Sequence, residues 1–194
     1  TIAMTDGLSK SQYVALVVVA NSAAFLSLVG SIIICRAAFK KREELYQRLL
    51  FGLSTSNIIA STGMLLHPYL MPDDIPNLVW ARGNQASCTA MGFVLVVFQL
   101  LVSFYNCFLS IMFLLTVRHN WREEQIRERL EIPAHATAIS FSIFVGLSGV
   151  ISESFKPTIF VNACWIGSCS LYHHYEDVQC DEEDINYDWV IGWV

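Results

Sequence analysis

Charge is what this sequence has least of. Among 194 residues 12 are Lys or Arg and 17 are Asp or Glu, 15% in all, against about 25% in ordinary soluble domains. With 54% hydrophobic residues and a mean hydropathy of +0.47, this disfavours a soluble enzyme, a nucleic-acid binder and a disordered tail. Signatures of catalysis are missing too. The chain has no His-Glu-x-x-His, no Cys-x-x-Cys, no Gly-x-Ser-x-Gly and no phosphate-cradling glycine loop, the spacings that hydrolysis, metal binding and nucleotide chemistry require. Neither enzymatic activity nor a cofactor is expected, and nucleic acid is not expected among its partners.

What is there is long uncharged stretches. Ser11 to Cys35, Leu49 to Pro72, Gly83 to Val117 and Ile132 to Ser152 contain no Asp, Glu, Lys or Arg over 25, 24, 35 and 21 residues. A helix rises about 1.5 Å per residue, so about 20 apolar residues cross a bilayer core of about 30 Å. The expectation is an all-α, multi-pass membrane protein, an antiparallel bundle in contact with lipid. Its spans are expected at about 12–38, 49–72, 86–117 and 132–152. A fifth uncharged run, Pro157 to Tyr175, is broken by polar residues, and its β-branched and aromatic centre suits a strand or hairpin better than a span. Residues 153–187 therefore read as a loop, and 188–194 as the start of a fifth helix.

Basic residues near span ends orient a membrane protein. Arg36, Lys40, Lys41, Arg42 and Arg48 fall between the first two spans, and Arg118, Arg122, Arg127 and Arg129 between the third and fourth, nine of the twelve. This asymmetry predicts an outer N-terminus, two inner basic loops and an outer loop at 153–187. Cys88, Cys164, Cys169 and Cys180 then face the oxidising side, where they allow two disulfides in three connectivities. Cys35 and Cys107 fall within spans and read as small buried residues. No removable signal peptide is evident, and a start at Thr1 without Met suggests processing or a fragment.

Polar residues within spans are expected to face other helices or a wet cavity. Gln99, Ser103, Asn106 and Ser110 form one stripe on the third span, and Ser54, Asn57 and Ser61 another on the second. Ala134, Ala138, Ser142 and Gly146 make a ridge of small residues on the fourth, suited to close helix approach. His67-Pro68 marks a kink or a helix end. His173-His174 beside the loop cysteines matches no familiar metal-ligand spacing. The acidic run from Glu176 to Asp188 reads as a solvated loop.

Several of these segments resemble seven-transmembrane receptors, most closely the cAMP-receptor-like and secretin-like branch found in protists. Gly83 to Phe93, around Cys88, resembles the start of that family's third helix, and Cys164-Trp165-Ile166 resembles its second extracellular loop. Arg48 to Ser61 is similar to the second-helix segment, with Asn57 where many relatives carry Asp. Arg118-His119-Asn120-Trp121 and Glu131-Ile132-Pro133-Ala134-His135 resemble the second intracellular loop and fourth-helix start. The rhodopsin-type Asp-Arg-Tyr is absent, Met112-Phe113-Leu114 standing near its place.

The resemblance implies a Cys88–Cys164 disulfide and leaves Cys169–Cys180 as a second pair. It implies a plasma-membrane receptor that carries the signal of an unknown extracellular ligand to a heterotrimeric G protein. Gln99, Ser103, Asn106, Asn57 and Trp165 are then candidates to line the ligand cavity. Arg118, Trp121, Arg122 and Arg127 are candidates for the G-protein contact, on a loop helix from Trp121 to Leu130 with a Glu123–Arg127 pair. Helices six and seven and most of helix five would lie beyond Val194, so the chain reads as a partial receptor domain at 11–194 that does not signal alone. A four-span scaffold of the tetraspanin or claudin kind, or a transporter fragment, is the alternative, and a scaffold of that kind has both termini inside. An epitope joined to Thr1 is expected to bind antibody on intact, unpermeabilised cells. Staining only after permeabilisation would reverse the orientation and favour the scaffold.

Overall fold

The computed structural model describes residues 10–41, 43–73, 80–158 and 163–166. Four helices among them are long and apolar enough to cross a membrane. The first, α1, is Lys10–Lys40; α2 is Leu45–Leu70; α3 is Gln85–His119. A single turn, α4 (Glu123–Ile126), runs through a π-helical turn (Arg127–Glu131) directly into α5 (Ile132–Ile151). A hairpin comes next, strands β1 (Phe155–Thr158) and β2 (Ala163–Ile166), antiparallel with Phe155 opposite Ile166 and Pro157 opposite Cys164. Each span lies within a few residues of its expected place, and the hairpin opens two residues before the run in which it was expected.

Helices are the solution that an uncharged run in lipid permits, because each backbone N–H and C=O must be satisfied inside its own segment. Pro68 lies within α2, which ends two residues later at Leu70. The start of α3 is defined by a reciprocal cap. Asn84 Oδ1 accepts the Ser87 N–H at 2.8 Å, and Ser87 Oγ accepts the Asn84 N–H at 2.9 Å, a capping box that satisfies two otherwise orphaned donors. The other end of α3 closes on Asn120 in the left-handed region, φ 50°, its N–H returning to Leu115 O, a conformation that Asn tolerates.

Packing is sequential: α1 against α2, α2 against α3, and α5 against α3. Side-chain amide and hydroxyl groups fasten the first pair, with Asn57 Nδ2 donating to Ser27 Oγ at 2.9 Å and to Ser31 Oγ at 2.6 Å. Between α5 and α3 the contact is steric. Ala134, Ala138, Ser142, Gly146 and Gly149 are the buried residues of α5, so the ridge of small residues is the packing edge. Large residues on the same helix, Ile139, Phe141, Phe144 and Leu147, are exposed. The hairpin closes one end of the bundle through Phe155, which is fully buried. A Cβ at Gly92 would lie 2.6 Å from this ring and one at Gly149 2.9 Å from it, so α3 and α5 together leave the notch that the ring fills.

Residues 1–9, 42, 74–79, 159–162 and 167–194 lie outside the described residues. With them fall Cys169, Cys180, His173-His174, the acidic run and the expected start of a fifth helix. Close packing at Gly146 makes a specific demand, since an added Cβ would sit 2.6 Å from Val97 Cγ2 and 2.8 Å from the Phe93 ring. Gly146→Ala is expected to destabilise the bundle by about 1–3 kcal/mol through overpacking. Gly30, with nothing within 4 Å of its Cβ position, is the control, and Gly30→Ala is expected to be neutral or to stabilise by up to about 1 kcal/mol through helix propensity. Thermal unfolding in detergent micelles measures both, and equal effects would exclude the close α3–α5 contact.

Candidate functional site

Two ends of the bundle collect the chain's chemistry. At the hairpin end Cys164 is held twice. Its sulfur is bonded to Cys88, in the first turn of α3, with 5.4 Å between the Cα atoms. Its backbone N–H donates to His67 Nε2 at 2.7 Å. The buried His67 ring thus serves as an acceptor for the hairpin backbone at the end of α2. Gln85 Nε2 adds a third tie, donating to Phe155 O at 2.9 Å. His67 is thus a structural fastener for the hairpin, next to Pro68 in the last turn of α2. Trp165 comes after Cys164 on β2, half-buried and opposite Lys156 in the register.

The polar residues expected to line a cavity do not converge. Asn57 is taken up by the α1 serines. Gln99, Ser103, Asn106 and Ser110 do form one stripe, but it is exposed, and no described element packs against it. Ser103 and Ser110 donate back to the Gln99 and Asn106 carbonyls at 3.1 and 2.9 Å. The reason is steric. The face of α3 that carries Cys88, Gly92, Leu95, Leu101, Tyr105 and Leu109 is the one buried against α2, α5 and the hairpin, and the polar stripe lies on the other side.

At the basic end the loop after α3 returns to α2. Glu44, the residue preceding α2, provides no side-chain cap; instead the Glu123 carboxylate accepts the Leu45 N–H. A carboxylate there also meets the positive end of the helix dipole. One helical repeat along, Arg48 Nη1 and Glu131 Oε1 form an ion pair at 2.6 Å, and Ile126 is fully buried in the same cluster as Leu45, Leu49 and Met112. This corrects the expected Glu123–Arg127 pair. Glu123 turns to α2, and Arg127 opens the π turn, exposed. The expected helix from Trp121 to Leu130 is likewise one α-turn and a π turn continuous with α5. Arg118, Arg122 and Arg127 all face outward, while Trp121 is half-buried with the Arg129 guanidinium 5.6 Å from its ring centre.

Sequence reasoning passed over the partners that are distant in the chain: His67 for Cys164, Glu123 for Leu45, Glu131 for Arg48, and His135, whose Nδ1 lies 2.9 Å from the Tyr105 hydroxyl. For Arg48 and Glu131 the available signal was a charge standing next to an uncharged run; for His67 and His135 there was none. Among the described residues no three His, Cys, Asp or Glu side chains cluster in a way that could hold a metal ion. Comparison with protein-family models, with curated proteins and with solved structures finds no match.

The cap on α2 is directly testable. Glu123→Ala is expected to cost about 1 kcal/mol, the usual loss on removing a capping side chain, and Glu123→Gln less, since it keeps an acceptor and loses only the charge. The exposed neighbour Glu124→Gln serves as control. Unfolding midpoints that do not separate Glu123→Ala from that control would exclude the cap.

Proposed function

We propose that this chain is the ligand-facing and partner-facing part of a plasma-membrane receptor of the seven-transmembrane kind, its N-terminus outside, which passes an extracellular signal to a heterotrimeric G protein. The observation that carries this reading is the covalent tie from the first turn of the central helix to the hairpin after α5. It holds a folded segment over one end of a helix bundle, with Trp165 beside the tie. Support at the other end comes from exposed Arg118, Arg122 and Arg127, on a segment braced against α2 by Glu123 and Glu131. The exposed Gln99, Ser103 and Asn106 add a short polar stripe in the middle of α3.

Signalling in such a receptor is a shift of population between two bundle packings, driven by a ligand that prefers one of them. A cytoplasmic partner reads the change through the basic segment, and the rigid connection of that segment to α5 through continuous helix is suited to carry it. The test is association of the full chain, reconstituted in lipid nanodiscs, with purified heterotrimeric G protein. Arg118→Ala with Arg122→Ala is expected to slow association and flatten its dependence on salt, the signature of charges at the rim of an interface. Unchanged association would remove these residues from the contact, and no association by the parent chain would remove the reading.

A further inference from the structure

Six residues of α3, Gln99, Ser103, Asn106, Ser110, Phe113 and Val117, recur at spacings of four, three, four, three and four, and all six are exposed. That alternation averages about 3.5 residues, the repeat that keeps one seam of a helix facing a neighbour as the two wind together. No described helix takes that position along the polar part of the seam. The helices α2 and α5 and the hairpin pack on the other side, and lower down the Phe113 ring also meets Tyr46 of α2 at 5.6 Å. The seam is polar in the middle of a membrane-crossing helix. Ser103 and Ser110 donate to carbonyls of their own helix, which leaves their oxygens able to accept. The carboxamides of Gln99 and Asn106 make no hydrogen bond among the described residues. Acyl chains offer neither donor nor acceptor, so such a group is costly in lipid until a protein group meets it.

We propose that this seam is the interface of a parallel, two-fold symmetric dimer with a second copy of the chain. The chemistry of the seam selects that occupant. Copies inserted with one topology run the same way through the membrane, so α3 meets α3 in parallel. Across a two-fold axis like residues then face each other, Gln99 opposite Gln99 and Asn106 opposite Asn106. A carboxamide is complementary to itself, because it carries both an acceptor oxygen and donor hydrogens; a side chain that only donates is not. Gly83 to Val117 contains no Asp, Glu, Lys or Arg, so nothing along the seam repels its own copy. Ser103 and Ser110 alternate with the two amides and are small enough to let the helices approach at the shallow crossing angle, about 20°, common in membrane bundles. The inference requires that the helices cross a membrane and does not rest on receptor activity.

The test uses the full chain in liposomes, labelled at Thr1 in separate batches with donor and acceptor fluorophores. Energy transfer is expected to rise with the protein-to-lipid ratio and to saturate as a dimer does. Gln99→Leu with Asn106→Leu is expected to weaken association about tenfold, the loss of two hydrogen-bonded layers between helices. Thermal unfolding of that variant in detergent is expected to match the parent, since both side chains are exposed within one copy. Ser140→Ala, at an exposed position of α5, is the control and is expected to leave association unchanged. In a Cys35→Ser, Cys107→Ser background that keeps Cys88–Cys164, Ser103→Cys is expected to cross-link two copies under mild oxidation beyond the level of the background chain, and Ser140→Cys is not. A monomer at every protein-to-lipid ratio, a dimer indifferent to the two leucines, or added cross-linking at Ser140→Cys in place of Ser103→Cys would each overturn the proposal.

Discussion

Helices side by side in a bilayer gain nothing from hiding apolar surface, since lipid is as apolar as their own side chains; close approach and hydrogen bonds must hold them. That constraint orders this bundle. The helix α5 turns Ala134, Ala138, Ser142 and Gly146 inward and leaves Phe141, Phe144 and Leu147 outside, an inversion of the pattern in water. Its partner α3 brings the bulk, with Phe93 and Val97 seated where α5 has only hydrogen. Between α1 and α2 the same purpose is served by Asn57, whose amide bridges two serines one turn apart.

The two ends are secured by different means. At one, a hairpin is bonded to α3, hydrogen-bonded to α2 through His67, and keyed into a notch between α3 and α5 by Phe155. At the other, carboxylates from the segment before α5 reach the first residues of α2. In both places a segment outside the long helices clamps helices whose main contacts follow sequence order. Near the second clamp Gly52 admits the Tyr105 ring between α2 and α3, where an added Cβ would lie 2.8 Å from it.

Much of this was legible in the residues. Span positions followed from the absence of charge, and the packing edge of α5 followed from small residues at four-residue intervals. What a single sequence does not contain is the angle at which each helix is turned toward its neighbours. Gln99, Ser103 and Asn106 share one face by periodicity alone, yet which way that face points depends on whether Tyr105 or Gln99 packs better against the small residues opposite. Sequence spacing also misled at Glu123. A carboxylate four residues before Arg127 suggests a pair, but an uncapped helix end across the loop competes for it and wins. The His67–Cys164 and Tyr105–His135 contacts join residues 97 and 30 positions apart, and nothing local signals them.

The π turn between α4 and α5 has a mechanical meaning. Such a turn holds one residue more than an α-turn can accommodate, so it offsets the angular phase of α4 from that of α5. Glu123 and Ile126 thereby address α2 and the core of the basic end, while Ala134 and Ala138, on the same continuous rod, address α3. One extra residue thus lets a single helix serve two neighbours in different directions.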